Sequence, residues 1–229
     1  RITATVNNFA GPQGDTRAII DEDGTGRFEA GDEVSLHAFI NDATNIVNPY
    51  PDAPGNMYTL TYESGAWNGF APTWNDLGEP TNDNRRCFAA FYPKPQASSI
   101  SGKQLAFSVA ANQSDEAAYK ASDLLFAYQN YQTKPQDGSV ALNFNHFMTR
   151  IKVKFLGNGE LVNKATVVIK NISAQCQISI TDGSIMATPT PRTDIIPRAS
   201  AHAGIFYALV PSQAVADGLL ELAISVDGK

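Results

Sequence analysis

The chain has 229 residues, with 17 Lys plus Arg against 23 Asp plus Glu and a net charge of −6. That length sets an expectation of two domains of about 100–150 residues, and the acidic balance, with no basic block, excludes nucleic acid and anionic membrane surfaces as natural partners. Charged residues make up 17% and hydrophobic residues 43% of the chain, spread along it; this excludes disorder, and no apolar run approaches the ~20 residues of a bilayer-spanning helix.

Arg1 runs directly into the alternating Ile2-Thr-Ala4-Thr-Val6, a short strand with no signal peptide ahead of it, so the sequence reads as a mature or trimmed product. Gly11-Pro-Gln-Gly14 is a flexible spacer. The stretch from Asp21 to Asp32 fits part of a twelve-residue calcium loop, with oxygens at positions 1, 3, 5 and 9 and glycine at 6. Position 12 is the short Asp32 rather than Glu, and the flanks read as strands, so a Gly-rich hairpin loop is the preferred reading and no metal or cofactor is expected.

Val34, Leu36, Ala38 and Ile40 alternate with Glu33, Ser35, His37 and Phe39, and the same period returns at 58–62 and 105–109. These predict half-buried antiparallel strands. Trp67, Phe70, Trp74, Phe88, Phe91 and Tyr92 form an aromatic-dense stretch, either core or a sugar-stacking platform. Residues 114–126 carry the only helical pattern, with Asp115 and Glu116 suited to a first turn. Further strands are predicted at 140–144, 151–155, 166–172, 176–180, 204–210 and 219–226, with turns at Asp182-Gly183 and Asp217-Gly218.

Many short strands without βαβ alternation predict an all-β chain of sandwiches. The linker-like Gln132-Thr-Lys-Pro-Gln-Asp-Gly138 places the boundary near 138, giving an N-terminal sandwich over 1–138 and a C-terminal one over 139–229. Apolar parity switches from even at Phe144 to odd at Ile151, so a bulge or a chain crossing is expected between 145 and 150. Cys87 and Cys176, far apart and in no CxxC motif, read as two buried thiols. His37, His146 and His202 have no neighbouring acidic or cysteine partner, and no catalytic motif occurs, so no enzyme activity is expected.

The segments Asp15-Thr-Arg-Ala18, Phe28-Glu-Ala-Gly-Asp32, Gly65-Ala-Trp67 with Trp74 downstream, and Phe88-Ala-Ala-Phe-Tyr-Pro93 follow one another in a characteristic order. They continue with Ser122-Asp-Leu-Leu-Phe-Ala127, Val140-Ala-Leu-Asn-Phe-Asn-His146, Met148-Thr-Arg-Ile-Lys-Val-Lys-Phe155 and Ala208-Leu-Val-Pro211. In this order the chain resembles the fimbrillin-like family, subunits of type V pili on anaerobic Gram-negative bacteria. The resemblance implies two tandem transthyretin-like β-sandwich domains, a lipoprotein precursor anchored to the outer membrane only through its lipid, and a place in a surface fimbrium. It implies other pilus subunits as partners through donor-strand exchange, together with host or bacterial surface ligands. It also implies proteolytic removal of the first strand. Arg17 is the candidate processing site, and Ile2, Ala4 and Val6 are the candidate displaced strand. Leu220-Glu-Leu-Ala-Ile-Ser-Val226 stops short of the family's usual further strands, so the C-terminal sandwich is expected to lack its last strands and to present an open groove. The alternative is a surface lipoprotein that binds glycans through the aromatics between Trp67 and Tyr92, which requires at least two of those rings exposed and roughly coplanar.

Overall fold

The computed structural model describes residues 1–7, 27–42, 46–47, 57–101, 103–156, 159–187, 192–213 and 221–226. The strands, in chain order, begin with β1 (Ile2–Val6), β2 (Glu33–Asp42), β3 (Ile46–Val47), β4 (Tyr58–Glu63), β5 (Ala66–Asn68) and β6 (Asn84–Tyr92). They continue with β7 (Ile100–Ser101), β8 (Gln104–Ser108), β9 (Leu125–Tyr131), β10 (Val140–His146), β11 (Met148–Lys154) and β12 (Ala165–Ile172). The last are β13 (Gln175–Ser179), β14 (Ile185–Ala187), β15 (Thr193–Ile195), β16 (Arg198–Ala199), β17 (Ile205–Pro211) and β18 (Glu221–Val226). Among the described residues three short α-helices, α1 (Trp74–Leu77), α2 (Glu116–Ala121) and α3 (Gly159–Asn163), and a 3-10 turn at Ala97–Ser99 accompany the strands of this all-β fold.

The chain forms two compact units. The first comprises Arg1–Leu105, Leu124–His146 and Ile178–Ser184; the second comprises Ala106–Asp123, Phe147–Gln177 and Ile185–Lys229. The chain passes from one unit to the other after Leu105, Asp123, His146, Gln177 and Ser184.

Unit 1 is built on an eight-stranded sheet ordered β1-β10-β9-β6-β2-β4-β5, with β3 added against β2. Its core takes one face of every long strand: Val6, Val34, Leu36, Leu60, Phe88, Leu125, Leu142 and Phe144 are all buried together. β2 and β6 are covered on the other face as well, where Phe39, Cys87 and Ala89 form a second cluster. This corrects the half-buried reading of β2, since Ser35, His37 and Phe39 are as buried as Leu36. A central strand covered on both sides has no reason to alternate, which is why Cys87-Phe-Ala-Ala-Phe91 is apolar throughout and its strand was not predicted.

One further expectation changes. The helix predicted over 114–126 is confined to α2: Asp115 caps it by accepting from the Ala118 N–H at 2.8 Å, and Ser122 ends it. Leu124 and Leu125 are not on its face; Leu125 starts β9, which pairs antiparallel with β6 from Tyr92↔Leu125 to Arg86↔Tyr131. β1, whose sense the sequence left open, runs parallel to β10. More than 130 residues separate the two strands, so no hairpin dictates their sense.

Unit 2 contains two three-stranded sheets, β11-β17-β16 and β15-β12-β18. Phe206, Ala208, Val167, Ile169 and Ile195 are buried in it. On β18, Leu222 and Ile224 lie opposite Ile169 and Val167 but remain 44% and 52% exposed, so the apolar face of this sheet runs out uncovered at its edge strand.

Candidate functional site

The first strand occupies a seat in the core of unit 1. Its register against β10 runs from Ile2↔Val140 to Val6↔Phe144. The Val140 N–H donates to the Arg1 carbonyl at 2.8 Å, and the Asn7 N–H donates to the Phe144 carbonyl at 2.7 Å, closing the ladder at both ends. Alternation then sorts the side chains. Ile2, Ala4 and Val6 point into the core, while the outer face is zipped by Thr5 Oγ1 donating to Asn143 Oδ1 and Asn7 Nδ2 donating to Asn145 Oδ1, both at 2.8 Å.

β1 stands at one end of the sheet path and β5 at the other, and the sheet curls until the two ends meet. Val6 is 1% exposed and packs in the core with Phe144. Phe28 contacts Phe144, Trp67 and Tyr92 edge-on, with ring centroids 5.3, 4.9 and 5.5 Å apart. Toward Ile2 the packing opens. A cavity of about 290 Å³ lies between Ile2, Leu36, Leu60, Trp67, Trp74 and Phe88. A second space of about 190 Å³ separates Thr3 and Ala4 from Tyr62, Ala66 and Trp67.

The walls are held from outside the cavity. Trp74 Nε1 donates to the Gly138 carbonyl at 2.8 Å, and its ring meets Phe88 and Tyr131 edge-on at 5.6 Å each. Its helix is set by a capping box between Thr73 and Asp76. Arg86, 5% exposed, fastens the following loop by donating to the carbonyls of Leu77, Gly78, Glu79 and Asn84. No sequence motif announces this cavity, because the residues lining it come from six strands, α1 and the loops around residues 69–73 and 138.

Arg17, like Asp21 and Asp23 of the calcium-like loop, lies outside the described residues. Asp32 from the end of that loop is engaged locally: one carboxylate oxygen accepts the Glu29 N–H at 2.7 Å and the other accepts the Tyr92 hydroxyl at 3.0 Å. Among the described residues no three His, Cys, Asp or Glu side chains converge as a metal site. Of the six aromatics, Phe88 and Phe91 are buried and Trp67, Trp74 and Tyr92 are half-buried against the core; Phe70 alone, 67% exposed, faces solvent. The two coplanar exposed rings that the glycan reading requires are not formed.

Both cysteines are buried free thiols. Tyr128 donates to Cys87 Sγ at 3.3 Å, and burial pushes the Cys87 thiol up and the Cys176 thiol up to about 12, so neither has the thiolate character of a nucleophile. His37 is buried with its ring 4.9 Å from that of Phe39, while His202 is exposed. Among the described residues, no helix is long and apolar enough to cross a membrane.

A model of the fimbrillin-like family matches residues 16–229. The fold is similar to that of a candidate cell adhesion protein from Bacteroides ovatus, at a TM-score of 0.66 and 16% identity, covering 100% of this chain and 82% of that one. Candidate cell adhesion proteins from Bacteroides uniformis (TM-score 0.56, 18% identity, 88% and 75% covered) and Bacteroides thetaiotaomicron (0.55, 15%, 100% and 82%) share it. At these identities the likeness is one of fold. No curated protein matches the chain in sequence.

Proposed function

The chain belongs to the fimbrillin-like family, and from that membership we propose that it is a structural subunit of a cell-surface pilus that assembles by exchanging its first strand. The two compact units are then the two transthyretin-like sandwiches of such a subunit, carried to the outer membrane on a lipid-anchored precursor. The partners are other pilus subunits, with ligands on host or bacterial surfaces a further class.

One observation carries the reading. β1 is joined to its sheet along a single edge, by β10, yet places Val6 in the middle of the core. Its removal would uncover Val140, Leu142 and Phe144 together with an unpaired edge of β10, and a backbone edge beside an apolar floor is what an incoming strand recognises. Fully burying a valine-sized side chain is worth about 1.5–3 kcal/mol, so the vacated seat favours refilling. While β1 occupies it, the same seat is blocked, which makes cleavage the trigger. Arg17 is the proposed cutting point, downstream of β1 and of the Gly11-Pro-Gln-Gly14 spacer.

The test is digestion with an arginine-specific protease, followed by N-terminal sequencing and electron microscopy for fibres. A new terminus at Ala18, loss of residues 1–17 and fibre growth are expected, and the Arg17→Ala chain should give none of these. Fibres from uncut protein would defeat the trigger. Maturation of the Arg17→Ala chain would move the cut elsewhere.

A further inference from the structure

We infer that the seat of β1 is shaped for a bulkier strand than the one it holds, and that the cavity at its Ile2 end receives a large aromatic or long aliphatic side chain at the equivalent position of an incoming strand. The inference rests on the strand-exchange reading above and adds what the incoming strand must carry.

The resident strand fits unevenly. At one end Val6 is 1% exposed and lines neither of the two cavities described above. At the other, Ile2 borders about 290 Å³ of space, and Ala4, with a single methyl group, borders about 190 Å³ more. Protein interiors leave few voids larger than a water molecule, whose share of the liquid is about 30 Å³. The first space is not such an enclosed void but a pocket open to solvent beside Arg1 and Thr73, and it is large enough for a bulkier side chain than that of Ile2.

The pocket has an apolar floor, is also lined by the exposed and polar Arg1 and Thr73, and has aromatic walls held in place. Leu36, Leu60 and Phe88, all at most 3% exposed, form its floor. Trp74 is pinned by Gly138 and Trp67 by Phe28. Gly69, also in the lining, lies close against β4, where a Cβ would come 2.4 Å from the Thr59 carbonyl. A pocket that cannot collapse keeps its preference for the missing volume.

Its position selects a strand as the occupant. The space continues the line of inward sites of Val6, Ala4 and Ile2, spaced two residues apart along a backbone ladder that β10 already supplies. Each methylene the pocket takes in is worth about fourfold in affinity, the equivalent of about 0.8 kcal/mol. Once cleavage has freed β1, an incoming strand with a bulky second residue therefore holds the seat more tightly than β1 does.

Two measurements test this. In the full chain, Ile2→Phe is expected to raise the thermal midpoint by about 2–4 °C for each kcal/mol gained, whereas Val6→Phe at the closed end lowers it by overpacking. A fall with Ile2→Phe comparable to that of Val6→Phe would overturn the inference. In the second, fluorescent heptapeptides of residues 1–7, native and carrying Ile2→Phe, are titrated onto the full chain bearing Val6→Ser, which loosens the resident strand. Capture of both, with the Ile2→Phe peptide at least about fourfold tighter, supports the pocket. Capture of both with equal affinity overturns it and leaves strand exchange standing. If neither peptide is captured and the cleaved chain forms no fibres, strand exchange falls and this inference falls with it.

Discussion

Buried amide groups are costly unless every polar atom is matched, and Gln113, fully buried in unit 2, meets that condition through backbone alone. Its Nε2 donates to the Leu209 and Ala110 carbonyls at 2.8 and 3.0 Å, and its Oε1 accepts the Leu209 N–H at 2.8 Å. The side chain behaves as a short piece of strand stitched to β17. Gln113→Leu keeps the bulk but strands the Leu209 N–H and carbonyl, so a loss of about 2–4 kcal/mol is expected in urea unfolding. Arg86 in unit 1 follows the same logic, and Arg86→Met should release the loop that carries α1 and loosen Trp74, read as a change in tryptophan fluorescence before global unfolding. Neither role was legible in the sequence. An isolated Gln and one of two adjacent arginines carry no periodic signal, and their partners are carbonyls set by tertiary packing. By contrast, the inward set Ile2, Ala4 and Val6 was legible, because strand alternation alone sorts it; its partner strand and the cavity beside Ile2 were not, since pairing across the chain leaves no local pattern.

At the level of elements, alternation was read correctly where a strand has one wet face and misread where it has none. β10 shows the first case: Val140, Leu142 and Phe144 are buried and Ala141, Asn143 and Asn145 are exposed. β6 shows the second, with Cys87 to Phe91 all buried; the helix expected over 114–126 in turn ran three residues too far, over Leu124 to Phe126, where β9 begins. The turn at Asp182-Gly183 was legible too, while Asp217-Gly218 lies outside the described residues. At Asp182-Gly183 the Asp182 carboxylate accepts the Ser184 N–H at 3.0 Å, and Gly183 adopts φ +73°. A Cβ at that position would come 2.2 Å from the Phe126 ring. Gly183→Ala therefore combines left-handed strain with a clash, and should cost about 2 kcal/mol and lower the thermal midpoint by about 4–8 °C. If the midpoint holds, Phe126 has room to swing away and the turn is not the constraint inferred.

At the scale of the whole molecule, charge and burial together set the pH range of stability. Asp182 and Glu116 are held below the usual carboxylate range, the first by the Ser184 N–H and the second by Lys120. A depressed carboxyl contributes stability that is present above its unfolded value and lost as pH falls through its folded one, so these groups erode the fold only at strongly acidic pH. The thiols act at the other end. Burial raises Cys176 from 9.0 to about 12 and moves Cys87 the same way. A group whose folded value is raised contributes fully below its unfolded value, and that contribution is lost as pH climbs from about 9 toward 12, because the unfolded chain gives up a proton that the folded chain keeps. Cys176 then costs about 1.4 kcal/mol per pH unit across that window, and Cys87 acts in the same direction. The urea midpoint should be flat from about pH 6 to 8 and fall steeply above 9. Cys176→Ala, at the price of a small cavity, should start lower but fall less steeply. An unchanged slope in that variant would mean that Cys176 reaches solvent in the native state, and that the core around β13 opens more readily than its burial indicates.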